Sequence, residues 1–188
     1  MLVLVAGPSG AGKDTLIAAA REALAVDPRF RFVRRAITRP ADAGGEDHEA
    51  LTEAEFATRD FALSWRAHGL RYGIPRDIET DLAAGRIAIA NVSRGAVEAA
   101  AARYPVRVIL VTAPPAILAA RLAARGREAA ADIAARLARE APLPGSVPAE
   151  TVVNDATPAE GLARFLAALI RAAQAAGHGG TAPPPAPG

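Results

Sequence analysis

Leu2-Val3-Leu4-Val5-Ala6 runs directly into Gly7-Pro8-Ser9-Gly10-Ala11-Gly12-Lys13, and Asp14-Thr15 opens the alanine-rich stretch that follows. Five consecutive apolar residues bounded by glycine read as a short strand buried on both faces, the habit of a parallel sheet. The next seven fit the P-loop pattern G-x-x-x-x-G-K in the strand–loop–helix setting that its mechanism needs. Glycines let successive backbone N–H groups turn inward as an anion nest. A helix from about Lys13 to Ala25 adds the positive end of its dipole, and Lys13 reaches the β- and γ-phosphates of a nucleotide. A strand–helix turn that binds nothing could carry the same glycines. The composition speaks against it: of 22 basic residues 21 are arginine, and the single lysine is Lys13.

The chain has 188 residues, 51% hydrophobic and 22% charged, which suits one soluble globular domain of ordinary size. A formal net charge of +2 is too small to argue for nucleic acid or a membrane surface as partner. The absence of cysteine excludes disulfides, thiolate catalysis and cysteine-held zinc. The scattered histidines His48, His68 and His178 make no metal site. The run Leu2–Ala6 is far too short for a signal peptide or a membrane span, so a cytoplasmic location is expected. Alanine fills 49 positions, so alanine-rich helices signify little beyond helix propensity.

Strands and helices alternate along the chain. Strands are expected at Leu2–Ala6, Phe30–Arg35, Phe61–Arg66 and on through Tyr72, Arg86–Asn91, Val106–Thr112 and Thr151–Val153. Thr52-Glu53-Ala54-Glu55 is a capping box opening a short helix. Further helices are expected from Pro75 to Gly85, Pro114–Arg125, Ala129–Glu140 and Pro158–Ala176. This order predicts an α/β fold of three layers, α/β/α, around a mostly parallel sheet. Residues 1–176 form the domain, and the Gly/Pro-rich tail 177–188 is expected to be disordered. The segment from about 35 to 74 breaks the rhythm and reads as a small inserted subdomain covering the site.

The position after Lys13 usually holds Ser or Thr, whose hydroxyl meets Mg²⁺. Here it is Asp14. A carboxylate is a hard oxygen ligand that can hold Mg²⁺ directly or through water. The competing reading is an acid placed at a helix N-terminus by the dipole.

The P-loop followed by Ile37-Thr38-Arg39-Pro40, Gly45-Glu46-Asp47-His48 and Tyr72-Gly73 resembles the guanylate kinase superfamily. GKD in place of GKS, the ITRPADAGGEDH and HGLRYGIP runs, and Asn91-Val92-Ser93-Arg94 are more similar to its ribose 1,5-bisphosphate phosphokinase branch, enzymes of phosphonate metabolism. The likeness spans about residues 2–157. It implies transfer of the γ-phosphoryl of ATP, with Mg²⁺, onto ribose 1,5-bisphosphate to give 5-phospho-α-D-ribose 1-diphosphate. Guanylate kinases typically follow Tyr-Gly with Thr-Ser, whereas Ile74-Pro75 offers no side-chain hydrogen bond, and an acceptor-side acid is replaced by Asn91. A base would find its polar edge unpaired there, so an acceptor without a base suits the pocket better. A guanylate or other nucleoside monophosphate kinase, and a non-catalytic binding module of the same fold, are the alternatives. The oligomeric state is open.

Transfer onto an ionised phosphate needs no general base, so catalysis rests on alignment and charge neutralisation, and arginines should converge on the site. The nucleotide-binding set is Gly7, Pro8, Ser9, Gly10, Ala11, Gly12, Lys13, Asp14 and Thr15, and Asn154 by resemblance to the family's adenine-side loop. Asp14 is the metal candidate. Arg35, Thr38, Tyr72, Asn91, Ser93 and Arg94 are expected to bind the acceptor phosphate or sugar, with Lys13 and Arg39 catalytic. Arg125 and Arg127 are expected catalytic contacts of a lid over about 121–140, which the resemblance implies, and Arg136 on the next helix is expected as a further acceptor contact. Any single arginine on these helices could equally be a solvated surface charge. Glu46-Asp47-His48 reads as a polar turn ahead of a catalytic role, His68 as a turn cap or sugar contact, and Trp65 as core rather than a stacking platform.

Overall fold

The computed structural model describes residues 1–43, 46–124 and 143–177. Among them, β1 (Leu2–Ala6), β2 (Phe30–Phe32), β7 (Ile87–Asn91), β8 (Val106–Thr112) and β9 (Ala149–Val153) form a wholly parallel sheet in the order β2-β7-β1-β8-β9. β3 (Ala36–Ile37), β4 (Glu49–Ala50), β5 (Phe61–Ala67) and β6 (Leu70–Pro75) form a second sheet in the order β4-β3-β6-β5, antiparallel except for the β3–β4 pair.

β1 explains the layering. Successive side chains of a strand leave by opposite faces, and all five of its residues are fully buried. Val3 and Val5 join one core with Leu16 and Ala20 of α1 (Lys13–Ala23), Leu118 of α5 (Pro115–Ala124), and Phe165 and Leu169 of α6 (Pro158–Gly177). Leu2, Leu4 and Ala6 join the other, with Ile78 of α3 (Ile78–Ala83), Val97 and Ala100 of α4 (Val97–Ala101), and Leu63 and Ile74 of the second sheet. The fold is therefore α/β with a parallel central sheet, as the alternation of elements predicts. The second sheet closes over one face beside α3 and α4.

Local signals set the element ends. Thr52 caps α2 (Glu53–Thr58) in a full capping box with Glu55. The same device recurs unannounced at α6, where Thr157 Oγ1 donates to Glu160 and accepts from its backbone N–H. Pro158 then takes the first helical position, where its missing N–H costs nothing. β5 and β6 are joined at His68-Gly69, both left-handed (φ 51° and 73°), as a tight hairpin turn with right-handed strand twist requires.

Several boundaries differ from expectation. β2 ends at Phe32, because only Phe30–Phe32 has β7 beside it. Pro75 closes β6, paired with Phe61, and the helix begins at Ile78 rather than Pro75. α1 stops at Ala23, whereas β9 begins at Ala149, ahead of the apolar run that marked it. The lid helix expected at 129–140 and the tail 178–188 lie outside the described residues. No described helix is long and apolar enough to cross a membrane.

Candidate active site

The strand carboxyl ends of the parallel sheet open onto the loop 7–13, the place where open α/β sheets gather their ligand groups. Gly7 leaves β1 at φ 143°, and a Cβ there would lie 1.9 Å from the carbonyl oxygen of Val111 in β8. No side chain fits. Gly12 caps α1 at φ 89°, a left-handed conformation that favours glycine, with Asn154 against the space a Cβ would take. Asn154 is buried, and its Nδ2 donates to the carbonyl of Ala11 at 2.8 Å. Its backbone N–H donates to Thr112 at 2.7 Å, so β8 holds the side chain that holds the loop. The Lys13 ammonium donates to the carbonyls of Gly7 (2.7 Å) and Pro8 (3.0 Å), which keeps its charge over the loop.

A cavity of about 470 Å³ lies between this loop and the second sheet. Gly7, Ser9, Lys13 and Asp14 form one wall, and Arg35, Arg39, Glu46 and Tyr72 the other. Asn91, Ser93 and Arg94 line it from the end of β7 and the turn that follows. Three arginines and the lysine thus face one space, an arrangement suited to more than one phosphate group.

The second wall is preset by its own contacts. Arg35 is almost wholly buried and ion-paired to Glu46 through both guanidinium branches. Its guanidinium lies 5.1 Å from the Tyr72 ring centroid and 5.7 Å from that of Trp65. Arg39 is held by His48. The imidazole Nδ1 is 3.2 Å from Arg39 Nη2 and Nε2 is 3.2 Å from the Arg39 carbonyl. Nδ1 also lies 3.0 Å from the Glu46 carbonyl, so the ring is wedged between the two segments that carry Arg39 and Glu46. Arg39 Nε is buried with no hydrogen-bond partner among the described residues. Such a donor is costly unless something else accepts from it. Burial pushes the Tyr72 phenol up from its ordinary value, so its hydroxyl stays a donor at neutral pH.

Asp14 stands where the cavity meets its neighbour. Its Oδ1 accepts from Asn91 Nδ2 at 2.7 Å, tying α1 to the end of β7. Both residues, with Glu46, also line an adjoining cavity of about 580 Å³ that reaches Thr15 and Arg21 along α1. Behind the loop a third cavity of about 400 Å³ is walled by Gly12, Leu16, Ala19, Arg121, Asn154 and Pro158, mostly apolar surface.

The predicted residues therefore sort by position. Ser9, Lys13, Asp14, Arg35, Arg39, Tyr72, Asn91, Ser93 and Arg94 meet at one cavity. Thr38 does not: its hydroxyl accepts from the Arg71 N–H at 2.9 Å, inside the second sheet. Asn154 contributes from behind the loop. Arg125, Arg127 and Arg136 lie outside the described residues. Ile74, read from sequence as a wall of the acceptor pocket, is fully buried in the core between the sheets and lines no part of the cavity. Glu46 and His48, which read as a polar turn, are the partners that fix Arg35 and Arg39. Their signal was the recurrence of acids and a histidine a few residues after two arginines.

The fold has solved counterparts. Guanylate kinase from Anaplasma phagocytophilum superposes with a TM-score of 0.65, 92% of this chain on 85% of that one, at 16% identity. A gluconokinase from Sinorhizobium meliloti gives 0.54, covering 95% and 97%, at 18% identity. The likeness is one of fold: an α/β fold of the kind that guanylate kinase and gluconokinase share. No family model matches the chain. The ribose 1,5-bisphosphate phosphokinase PhnN of Acidiphilium cryptum is 57% identical over 171 residues, 90% of this chain and 92% of that protein. That of Methylobacterium radiotolerans is 50% identical over 174 residues, covering 89% and 96%. The chain belongs to the ribose 1,5-bisphosphate phosphokinase family and is a kinase. It also matches, at 52% identity, a quarter of the length of a bifunctional ribose 1,5-bisphosphokinase–thymidine phosphorylase from Azorhizobium caulinodans.

Proposed function

We propose that this kinase transfers the γ-phosphoryl group of ATP to the 1-phosphate of ribose 1,5-bisphosphate, yielding 5-phospho-α-D-ribose 1-diphosphate and ADP. An oxygen of the acceptor phosphate attacks the γ-phosphorus as the bond to the β–γ bridging oxygen breaks. That acceptor oxygen is already ionised, so the protein has no proton to remove. Its work is alignment and neutralisation of charge. Loop amides 7–13 and Lys13 hold the β- and γ-phosphates, and Arg39 with Arg35 and Arg94 hold the two acceptor phosphates. Tyr72 and Ser93 donate hydroxyl hydrogen bonds to the same anion, and Asn91 orients Asp14. The apolar cavity behind the loop, bounded by Asn154, takes the nucleoside. Residues from about 35 to 74 act as the acceptor subdomain, and Arg125, Arg127 and Arg136 as the arginines of a lid over about 121–140.

A magnesium ion fits the donors present. Among the described residues no three acidic or histidine side chains gather as a metal cage. Mg²⁺ needs none, because it keeps waters and nucleotide phosphates and takes one or two carboxylates. Asp14 would hold it directly or through water, since Asn91 engages Oδ1 and Oδ2 remains for the cation. Bound there, it would supply charge neutralisation for the transferring phosphoryl group.

The observation that carries this reading is the convergence of Lys13, Arg35, Arg39 and Arg94 on one cavity, with a buried unpartnered guanidinium N–H at Arg39. The experiment is ADP release from ATP and Mg²⁺ with ribose 1,5-bisphosphate and GMP run in parallel. Turnover on the sugar bisphosphate alone is the expected result. Turnover on GMP would overturn the acceptor assignment while leaving the P-loop chemistry in place.

A further inference from the structure

Trp65 is the single tryptophan of the chain, and its place on β5 is in the second sheet. From there its indole Nε1 donates to Ser93 Oγ at 2.9 Å, across to the turn that follows β7 of the parallel sheet. The ring is partly buried against the core between the two sheets. It also lies almost parallel to Tyr72, with centroids 5.4 Å apart and 9° between planes. Trp65 itself lines no part of the cavity, whereas Ser93, Tyr72 and Arg35 all do.

A serine hydroxyl has one proton and two acceptor sites, and an indole N–H can only donate. Trp65 therefore occupies an acceptor site of Ser93 and leaves its one proton to be given elsewhere. Among the described residues, Ser93 Oγ has no other hydrogen-bond partner. We propose that Trp65 is a positioning residue of the acceptor site: by donating to Ser93 Oγ it turns the serine proton into the cavity, toward the anionic acceptor. The stacked face keeps Tyr72 and the Arg35 guanidinium in the same wall. One side chain thus ties the second sheet to the turn after β7 and sets the direction of a donor it shares with no substrate.

The inference rests on the acceptor reading above, and its test separates the two. Trp65→Phe keeps a stacking ring and removes the N–H, and Ser93→Ala removes the donor itself. Both are assayed on whichever of ribose 1,5-bisphosphate and GMP the unaltered enzyme turns over, so an error in the acceptor's identity shows in that choice alone. Each single variant is expected to raise the acceptor KM about fivefold to tenfold, the effect of losing one oriented hydrogen bond to a charged group, with the ATP KM within about twofold. The double variant should be no worse than Ser93→Ala, because residues acting through one another are not additive. An unchanged acceptor KM in Trp65→Phe, or effects that multiply in the double variant, would overturn the proposal. Trp65 emission provides a reading that needs only the unaltered protein: saturating acceptor should shift it, and an unmoved spectrum also counts against the proposal.

Discussion

At the scale of single residues, the loop that carries the phosphates is shaped by groups far away in sequence. Asn154 illustrates this. It sits between Gly12 and Gly161, where a Cβ would lie 2.5 Å from its Nδ2 and 2.4 Å from its Oδ1 respectively. Two glycines thus make room for one amide, whose donation fixes the Ala11 carbonyl. Asn154→Ala should cost about 1–3 kcal/mol, the range for stranding a buried acceptor, measured by urea denaturation. Asn154→Asp should cost more, because a carboxylate oxygen would face that carbonyl. The glycines of the loop were legible in the sequence because the pattern is local. Asn154 itself was legible only as a resemblance, since its partner lies 143 positions away.

At the scale of elements, α3 is pinned to the end of the sheet remote from the cavity. Asp81 is 1% exposed, accepts from Arg31 of β2 at 2.5 Å, and is ion-paired with Arg86 just before β7, also at 2.5 Å. The arginines are about a third and nearly half exposed, so water screens the pair from one side. Asp81→Ala frees both to turn outward, which limits the loss to about 1–3 kcal/mol. Turnover should survive at temperatures where the variant is folded, because these contacts lie at the amino ends of the strands. Helix starts were readable where a cap is written locally, at Thr52. The β6–α3 boundary was not, because Pro75 is a plausible first helical residue whose fate depended on Phe61 pairing beside it.

Charge pairs spread over the whole molecule set its response to acid. Arg29 holds the Asp27 carboxyl below its ordinary value, Arg34 does so for Asp47, and Arg164 for Asp155. The capping boxes lower Glu55 and Glu160 in the same way, through the Thr52 and Thr157 hydrogen bonds. A depressed carboxylate contributes stability above its unfolded-state value, here 3.8 for Asp and 4.5 for Glu, and loses it as pH falls through the folded-state value. Urea midpoints should therefore be level from pH 7 to about pH 5 and fall steadily toward pH 3. Each pair is exposed, so added salt should flatten the fall.

The sequence by itself determined the fold class, the P-loop and the identity of the residues that carry positive charge toward it. Those features are written in short-range pattern: an unbroken apolar run in β1, glycine spacing, a lone lysine, arginines beside Thr38 and after Asn91. Only the tertiary structure decided which of them face one another. It sent Ile74 into the core and Thr38 into a backbone contact. It also made Glu46, His48 and Trp65 the groups that aim Arg35, Arg39 and Ser93. The physical reason is that burial and hydrogen-bond direction depend on partners from other strands, and the second sheet meets the first only after the chain has folded back over its own loop.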